Sequence, residues 1–438
     1  MADKNLFKRR DFMKHTSLAA GALITSPLVA SGYGFHNLVS DDIKIALIGC
    51  GGRGTGAATQ ALKAAPNVKL VAMADAFQDR LQTSLESIKK SADASRVDVP
   101  EDRQFIGFDG YKKAIELCDV IILTTPPAFR PIHFAEAVAQ NKHVFMEKPV
   151  ATDPAGIRSV LKTAEEARAK KLNVVVGLQR HYQTKYKEMM GMVHKGKIGD
   201  ITSGQVYWNN DGVWVRPREA QQTEMEYQMR NWYYFTWLCG DHIVEQHIHN
   251  IDVMNWAKQG YPVKAQGMGG REVRKGKDHG QIFDHHYVEF HYADGSILNS
   301  QCRHIKNTWS QVNETLIGTK GTADFGAGLL SSHGGKVLMK HDDSNDPNPY
   351  QVEHDELFAA INKGEYKYDD THNGAMSTMT AIFGRMVTYS GQMMTMDEAL
   401  NSDLVLVPQT FGWKDMPPAK PDANGDYEVA VPGSTSFV

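Results

Sequence analysis

Cysteine is scarce in this chain: four in 438 residues. Cys50, Cys118, Cys239 and Cys302 lie far apart and form none of the close pairs of a zinc site or a disulfide scaffold. No uninterrupted apolar run reaches the roughly 20 residues that cross a bilayer, so no permanent membrane anchor is expected. Neither sign of charge dominates: 48 basic and 51 acidic residues leave a formal charge of −3. That balance gives no long-range field for nucleic acid or an anionic membrane, and nucleic acid is not an expected partner. Repeats and low-complexity tracts are also missing. What remains is an ordinary globular composition on a chain too long for one core, since single cores stop growing near about 250–300 residues.

The first 34 residues read differently from the rest. "FKRRDFMKHTSLAAGALITSPLVASGYG" has a basic start, a pair Arg9-Arg10, a modest apolar stretch from Leu18 to Val29, and small residues near Ala30 to Gly34. Twin arginines before a weakly apolar segment resemble the export signal of already folded proteins. Residues 1–34 are therefore expected to be a twin-arginine signal peptide, and the location periplasmic.

After it comes "IKIALIGCGGRGTGAATQALKAAPNVKLVAMAD", which reads as strand, glycine-rich turn, helix and strand. Gly49, Gly51 and Gly54 carry the G-x-G-x-x-G spacing: a tight turn, close backbone approach to a pyrophosphate, and close helix–strand packing. Gly52 and Arg53 lie inside the same turn, and the helix start beyond it favours negative charge. The second strand, Val68 to Ala74, runs into Asp75. An acid there takes the ribose hydroxyls of NAD and repels the extra phosphate of NADP; Arg53 and Arg80 blur that preference. Helices are expected at Phe77 to Lys89 and Tyr111 to Leu117, and "DVIILTTPP" and "HVFMEKP" read as buried strands. Thr125, Pro126, His133, Glu147 and Lys148 thus fall at or beside strand carboxyl ends, where a doubly wound sheet binds its ligand.

These motifs resemble the glucose-fructose oxidoreductase, inositol dehydrogenase and rhizopine-catabolism (Gfo/Idh/MocA) family. The carrying residues are "GCGGRG", Asp75, "TTPPAFRPIH" and "HVFMEKPVATD", and the likeness extends over the chain after the signal. The resemblance implies an N-terminal Rossmann domain (42–175), doubly wound about a parallel sheet. It also implies a second α/β domain (176–400) with an open, largely antiparallel sheet, then an extension (401–438). Bound NAD, with NADP less favoured, a carbohydrate or polyol substrate, and a homo-oligomer built on the open sheet are implied as well. In that family the E-K-P lysine, here Lys148, sits beside the nicotinamide. An Asp-x-x-x-His pair faces it, matched here by Glu245 and His249. The family often has a basic residue near substrate where "LQRHY" places Arg180 and His181, and Gln179 just before them is expected at the cofactor.

"GDHIVEQHIHNID", Gly240 to Asp252, concentrates the remaining chemistry. On one continuous helix His242, Glu245, His249 and Asp252 share a face. Oxidising a secondary alcohol needs a base, and a lysine ammonium keeps its proton near neutrality unless a neighbouring cation weakens it. An imidazole is already poised to shuttle. His249 as base with Lys148 polarising the same oxygen and Glu245 orienting the ring is one assignment; Lys148 as base with His249 positioning is the other. His242 and Trp208 are expected at the substrate, with Arg180 and His181, and the aromatics around Trp214, Trp232 and Tyr233 suggest a sugar-sized cleft. The spacing H-x-x-E-x-x-x-H is no familiar zinc signature, so no metal is expected, although His285 or His286 could complete a ligand set. Two further functions stay open: a glycosidase that oxidises its substrate transiently, and a binding protein without catalysis.

Overall fold

The computed structural model describes residues 42–437. The segment expected to be an export signal, with its arginine pair, lies outside the described residues. Six parallel strands form the first sheet: β1 (Ile43–Ile48), β2 (Val68–Asp75), β3 (Gln104–Ile106), β4 (Val120–Leu123), β5 (His143–Met146) and β6 (Val174–Val176). Their order is β3-β2-β1-β4-β5-β6, the doubly wound arrangement whose direction of winding reverses between β1 and β4. β4 and β6 are buried throughout, which is why they read as unbroken apolar runs. Helices fall within a residue or two of expectation at Gln78–Ser91 and Gly110–Glu116. The helix Pro349–Asn362 starts where Asn348 caps it through the Tyr350 amide.

The second sheet has nine strands: β7 (Ile201–Asn210), β8 (Lys264–Gly270), β9 (His285–His291), β10 (Ile297–His304), β11 (Gln311–Gly318), β12 (Gly321–Asp324), β13 (Leu329–Ser332), β14 (Val337–Lys340) and β15 (Met394–Thr395). Only β7 and β10 pair in parallel. Along β9 and β10 buried and half-buried residues alternate, as a sheet covered on one face requires. Val288, Phe290 and Leu298 face the core; Tyr287, Glu289, Asn299 and Gln301 face outward.

The helix Thr371–Ser390 is buried along nearly its whole length between the two sheets' layers. Its Arg385, itself buried, donates from Nη1 to the carbonyls of Thr152 (2.8 Å) and Gly240 (3.0 Å). Thr152 in turn donates to the Trp237 carbonyl at 3.1 Å. One guanidinium therefore staples the loop after Lys148 to the start of the histidine-rich segment. No helix among the described residues is long and apolar enough to cross a membrane.

Candidate active site

The glycine turn has the shape its spacing demands. A Cβ on Gly49, whose φ is +95°, would lie 2.4 Å from the Thr125 amide nitrogen, and one on Gly54 would lie 2.1 Å from the Gly49 carbonyl oxygen. At Gly51 and Gly52 a Cβ would meet nothing within 4 Å. The first and third glycines are thus required by packing, and the middle of the turn is left open to a ligand. A cavity of about 420 Å³ lies against it, lined by Gly49, Gly51, Gly52, Arg53, Gly54, Asp75, Thr125, Pro126 and His133 among others. Asp75 already accepts from the Cys50 amide (2.6 Å) and the Phe77 amide (2.8 Å), which fixes its carboxylate while leaving lone pairs for hydroxyls. Burial raises its pKa. His133 is neutral: burial, helped by Arg130, pushes it down to about 3. The donors and the open glycines suit a dinucleotide's ribose and pyrophosphate.

Arg53 lines the cavity, but its guanidinium is committed elsewhere. It donates to Glu147 (2.5 Å), Glu353 (3.1 Å) and Gln60 (2.9 Å). The expectation of a free cation for phosphate is corrected by these carboxylates, one of them from the second half of the chain. Phosphate charge would instead meet the amides that open the helix Gly52–Ala64.

The cavity does not reach Glu147, Lys148 or Gln179. Glu147 and Lys148 stand one strand over, since Leu123 at the end of β4 pairs with Met146 at the end of β5, and Gln179 follows β6, one strand further. There Lys148 and Glu245 meet: the Lys148 Nζ donates to the Glu245 carbonyl at 2.7 Å and lies 3.4 Å from its carboxylate. Both are mostly buried. Burial raises the Glu245 pKa against the lowering pull of Lys148. His249 is buried too, and burial with the nearby charges of Lys148, Arg180 and Arg53 depresses its pKa well below the usual imidazole value. It is a neutral ring, stacked on Trp208 at 6.0 Å. His249 Nδ1, Trp208 Nε1, Gln179 Oε1 and the Tyr233 hydroxyl are buried with no hydrogen-bond partner among the described residues. Unpaired buried polar atoms are costly, and their accumulation here marks where a polyhydroxylated ligand would complete the bonding.

The expected single helix is broken. It runs His242–Glu245, opens into a wide turn in which the His247 amide bonds the His242 carbonyl (3.2 Å), and resumes at Ile248–Lys258. His249 donates back to the Gln246 carbonyl, not to that of Glu245, so the Glu245 carbonyl is free to take the Lys148 ammonium. The break also turns His242 away from Glu245 and His249. The His242 ring is wholly buried, bonded to Asp241 at 2.7 Å and packed on His304 at 4.4 Å. Its expected substrate contact is therefore replaced by an interior network. Asp241, His242 and His286 bring one ligand-capable atom each within 4.8 Å. Asp241 accepts there from the Phe283 amide and the Tyr389 hydroxyl as well.

Two further substrate expectations meet acids that sequence spacing cannot show. Arg180 is buried in an ion pair with Glu314, which also takes the Tyr186 hydroxyl at 2.7 Å. His181 bonds Asp252 at 2.7 Å and stacks on Trp256 at 4.2 Å. Both hold elements together. Trp214 and Trp232, expected around a sugar, instead line the nucleotide cavity with Arg216, Met229 and Arg230.

Comparison with known proteins agrees with this geometry. Residues 43–176 match the family described as "Oxidoreductase family, NAD-binding Rossmann fold", and residues 186–324 match the GFO/IDH/MocA C-terminal domain. The chain is 30% identical to an inositol 2-dehydrogenase of Gluconacetobacter diazotrophicus over 144 residues, 33% of this chain and 36% of that protein. It is 22% identical to a glycosyl hydrolase family 109 protein of Shewanella baltica, covering 78% of this chain and 70% of the relative. The chain spans only 36%, 41% and 46% of the first three curated relatives it matches. Among solved structures, the scyllo-inositol dehydrogenase of Lactobacillus casei with bound NAD(H) and scyllo-inositol superposes with a TM-score of 0.62 at 17% identity. That likeness covers 82% of this chain and all of that one. A Rossmann domain with the family's glycine turn, followed by its second domain, makes this chain a member of the Gfo/Idh/MocA oxidoreductase family.

Proposed function

We propose that the protein is an NAD-dependent oxidoreductase acting on a hydroxyl-bearing carbon of a sugar, glycoside or polyol. The observation that carries this is the meeting of Lys148, Glu245 and a neutral, unsatisfied His249 at strand ends next to the nucleotide cavity. NAD, when bound, supplies the hydride acceptor. Lys148 polarises the substrate oxygen, and the open Nδ1 of His249 takes the hydroxyl proton. Glu245 anchors the ammonium through carbonyl and carboxylate. Gln179, Trp208 and Tyr233 offer polar atoms to further hydroxyls. The test incubates the protein and NAD with a panel of polyols and glycosides while following the nicotinamide absorbance. Turnover slowed by about 10²–10³-fold in His249→Gln is expected; no reduction with any substrate, together with no NAD binding, would overturn the reading.

A second reading rests on the glycosyl hydrolase family 109 relatives, one of which aligns over 366 residues. In it the same oxidation is transient and releases an aglycone. Free-sugar release from an aryl glycoside without net NADH would favour it; a keto-sugar product favours oxidation.

The reading includes a folded export to the periplasm, supported by "RRDFMK" and the ordered regions behind it. It also includes a homo-oligomer. The outward face of β7, β9, β10 and β11 is half-buried, and exposed Trp309 packs edge-on against its Tyr207 at 5.4 Å, as a surface for a second copy would. Cell fractionation and light scattering test these two statements.

A further inference from the structure

His242, His286 and His304 crowd the buried space beside the broken helix, and following their protons leaves two of them incomplete. His304 is satisfied: its Nδ1 accepts from Arg274 Nη2 at 2.7 Å, so its Nε2–H donates to Gln246 Oε1 at 3.0 Å. His242 Nδ1 stands 2.7 Å from Asp241 Oδ1, and only a protonated nitrogen approaches a carboxylate oxygen that closely. Burial pushes the His242 pKa down to about 4, so the ring is neutral and its Nε2 keeps a bare lone pair. On β9, His286 Nδ1 lies 2.9 Å from the Thr388 hydroxyl. That hydroxyl donates its own proton to the Gly384 or Arg385 carbonyl and therefore accepts from His286. When neutral, the His286 ring thus also presents a bare Nε2.

Both Nε2 atoms are buried with no hydrogen-bond partner among the described residues. His286 Nε2 faces Asp241 Oδ2 at 3.3 Å. Both oxygens of Asp241 are already occupied: Oδ1 by the His242 amide and ring, Oδ2 by the Phe283 amide at 2.9 Å and the Tyr389 hydroxyl at 2.5 Å. A lone pair set against a carboxylate oxygen is repulsive unless a positive charge lies between them. Arg274 does not supply it. Its Nη1 donates to the Phe283 carbonyl at 2.6 Å and its Nη2 to His304, and it approaches His242 only at Nδ1, at 3.5 Å.

We propose that Asp241, His242 and His286 hold a divalent first-row metal ion of the zinc class, taken up as the chain folds. One ligand-capable atom from each lies within 4.8 Å of the others. Two imidazole nitrogens and a carboxylate suit such an ion, whereas magnesium and calcium take oxygen cages. The surrounding contacts are those that orient metal ligands: Thr388 fixes His286 through Nδ1, Asp241 fixes His242, and Tyr389 with the Phe283 amide fixes the carboxylate. Asp241 and His242 have no exposed surface and His286 has 3%, which gives the ion a structural role. It ties β9 to the residues just before Glu245, beside the grip of Arg385 on Gly240. The spacing H-x-x-E-x-x-x-H carries no sign of this set, because Asp241 replaces its acid and the second imidazole arrives from β9.

The test uses the full chain purified without a histidine tag. It is unfolded in guanidinium with chelator, refolded in zinc chloride or in chelator alone, and desalted. Metal is then measured by plasma mass spectrometry, and the melting temperature is recorded. The zinc-refolded protein is expected to retain about one ion per chain. It should melt about 5 °C above the chelator-refolded sample, the shift of an ion at roughly a hundred times its dissociation constant. His242→Asn and His286→Asn should each retain less than about a tenth of an ion and melt alike in zinc and chelator, while His194→Asn, on the surface, keeps the full ion. If neither variant folds, the contrast between zinc and chelator in the unaltered protein decides. If refolding fails in both solutions, the metal content of protein purified from zinc-supplemented culture decides by the same threshold. Unaltered protein that retains no zinc, or zinc that persists in both variants, overturns the site and leaves a proton on His286 as the buried positive charge.

Discussion

Replacing Lys148 by methionine keeps the side chain's length and removes its charge. The ammonium's partners are the carbonyl and carboxylate of Glu245, whose side chain is 14% exposed. Without the ammonium a buried carboxylate stands alone, and burial already raises its pKa. The cheapest response is to bind a proton. At pH 7 this costs at most about 1.4 kcal/mol for each of the roughly 2.5 pH units above the ordinary value, a ceiling near 3.5 kcal/mol. A carboxyl whose folded pKa is raised destabilises the fold as pH climbs above its ordinary value of 4.5. The variant's deficit is therefore largest at neutral pH and fades toward pH 4.5. At roughly 2 °C per kcal/mol for a chain of this size, the melting temperature should fall by at most about 7 °C at pH 7 and by little near pH 5. Hydride transfer should drop by about 10²–10⁴-fold through loss of the polarising charge. NAD should still bind, because Lys148 does not line the nucleotide cavity. Parallel melts at pH 5 and 7 with a turnover assay decide the matter. Activity within about tenfold of the unaltered protein, or an equal melting deficit at both pH values, would refute the reasoning.

Gly51→Ala should leave the melt unchanged, since its φ of −74° suits alanine and a Cβ there meets no protein atom. It should weaken NAD binding about tenfold or more by titration calorimetry, because the methyl occupies the pyrophosphate's approach. His249→Gln should cost about 10²–10³-fold in kcat with nucleotide retained. In the unaltered protein, the kcat/KM profile should show no inflection near pH 6.5, because the imidazole stays neutral well below that value. His242→Ala should destabilise the fold by about 2–4 kcal/mol in urea unfolding and leave KM unchanged. A shifted KM with an unaltered unfolding midpoint would restore His242 to the substrate.

The nucleotide half was legible because its determinants are local. The glycine spacing, the acid at the end of β2 and the strand–helix alternation all lie within short windows, and each has a geometric reason that Gly49 and Gly54 display directly. Lys148 could be placed from a strand end for the same reason. The second half was less legible because its determinants are distant pairings. Arg180 reads as a substrate cation until Glu314 is seen beside it, and Arg53 reads as a phosphate ligand until Glu353 arrives from the helix Pro349–Asn362. The broken helix is subtler. "HIVEQHIHNID" has the composition of one helix, and nothing in its periodicity marks the wide turn at Gln246 and His247. The cause lies in what surrounds it: His242 is drawn into the network of Asp241 and Arg274, while His247 bonds Ser300 on β10. The extension expected from residue 401 has no helix after Asn401 among the described residues, yet its aromatic residues pack on the nucleotide domain.

The wide turn also links fold to chemistry. In a continuous helix the Glu245 carbonyl would be spent on the His249 amide, and Lys148 would find only a carboxylate. A carboxylate alone would hold the ammonium as a tight ion pair and compete with any substrate oxygen. Sharing the ammonium between a carbonyl at 2.7 Å and a carboxylate at 3.4 Å leaves the ion pair long and the third donor of Nζ available. The same break sets the imidazole of His249 against Trp208, with its Nδ1 unsatisfied. One displaced backbone hydrogen bond thus loosens the cation and leaves the base unpaired, and Arg385 holds the break in register by gripping the chain at Gly240 and Thr152. Besides a hydride acceptor, oxidation of a hydroxyl needs no more than this pair.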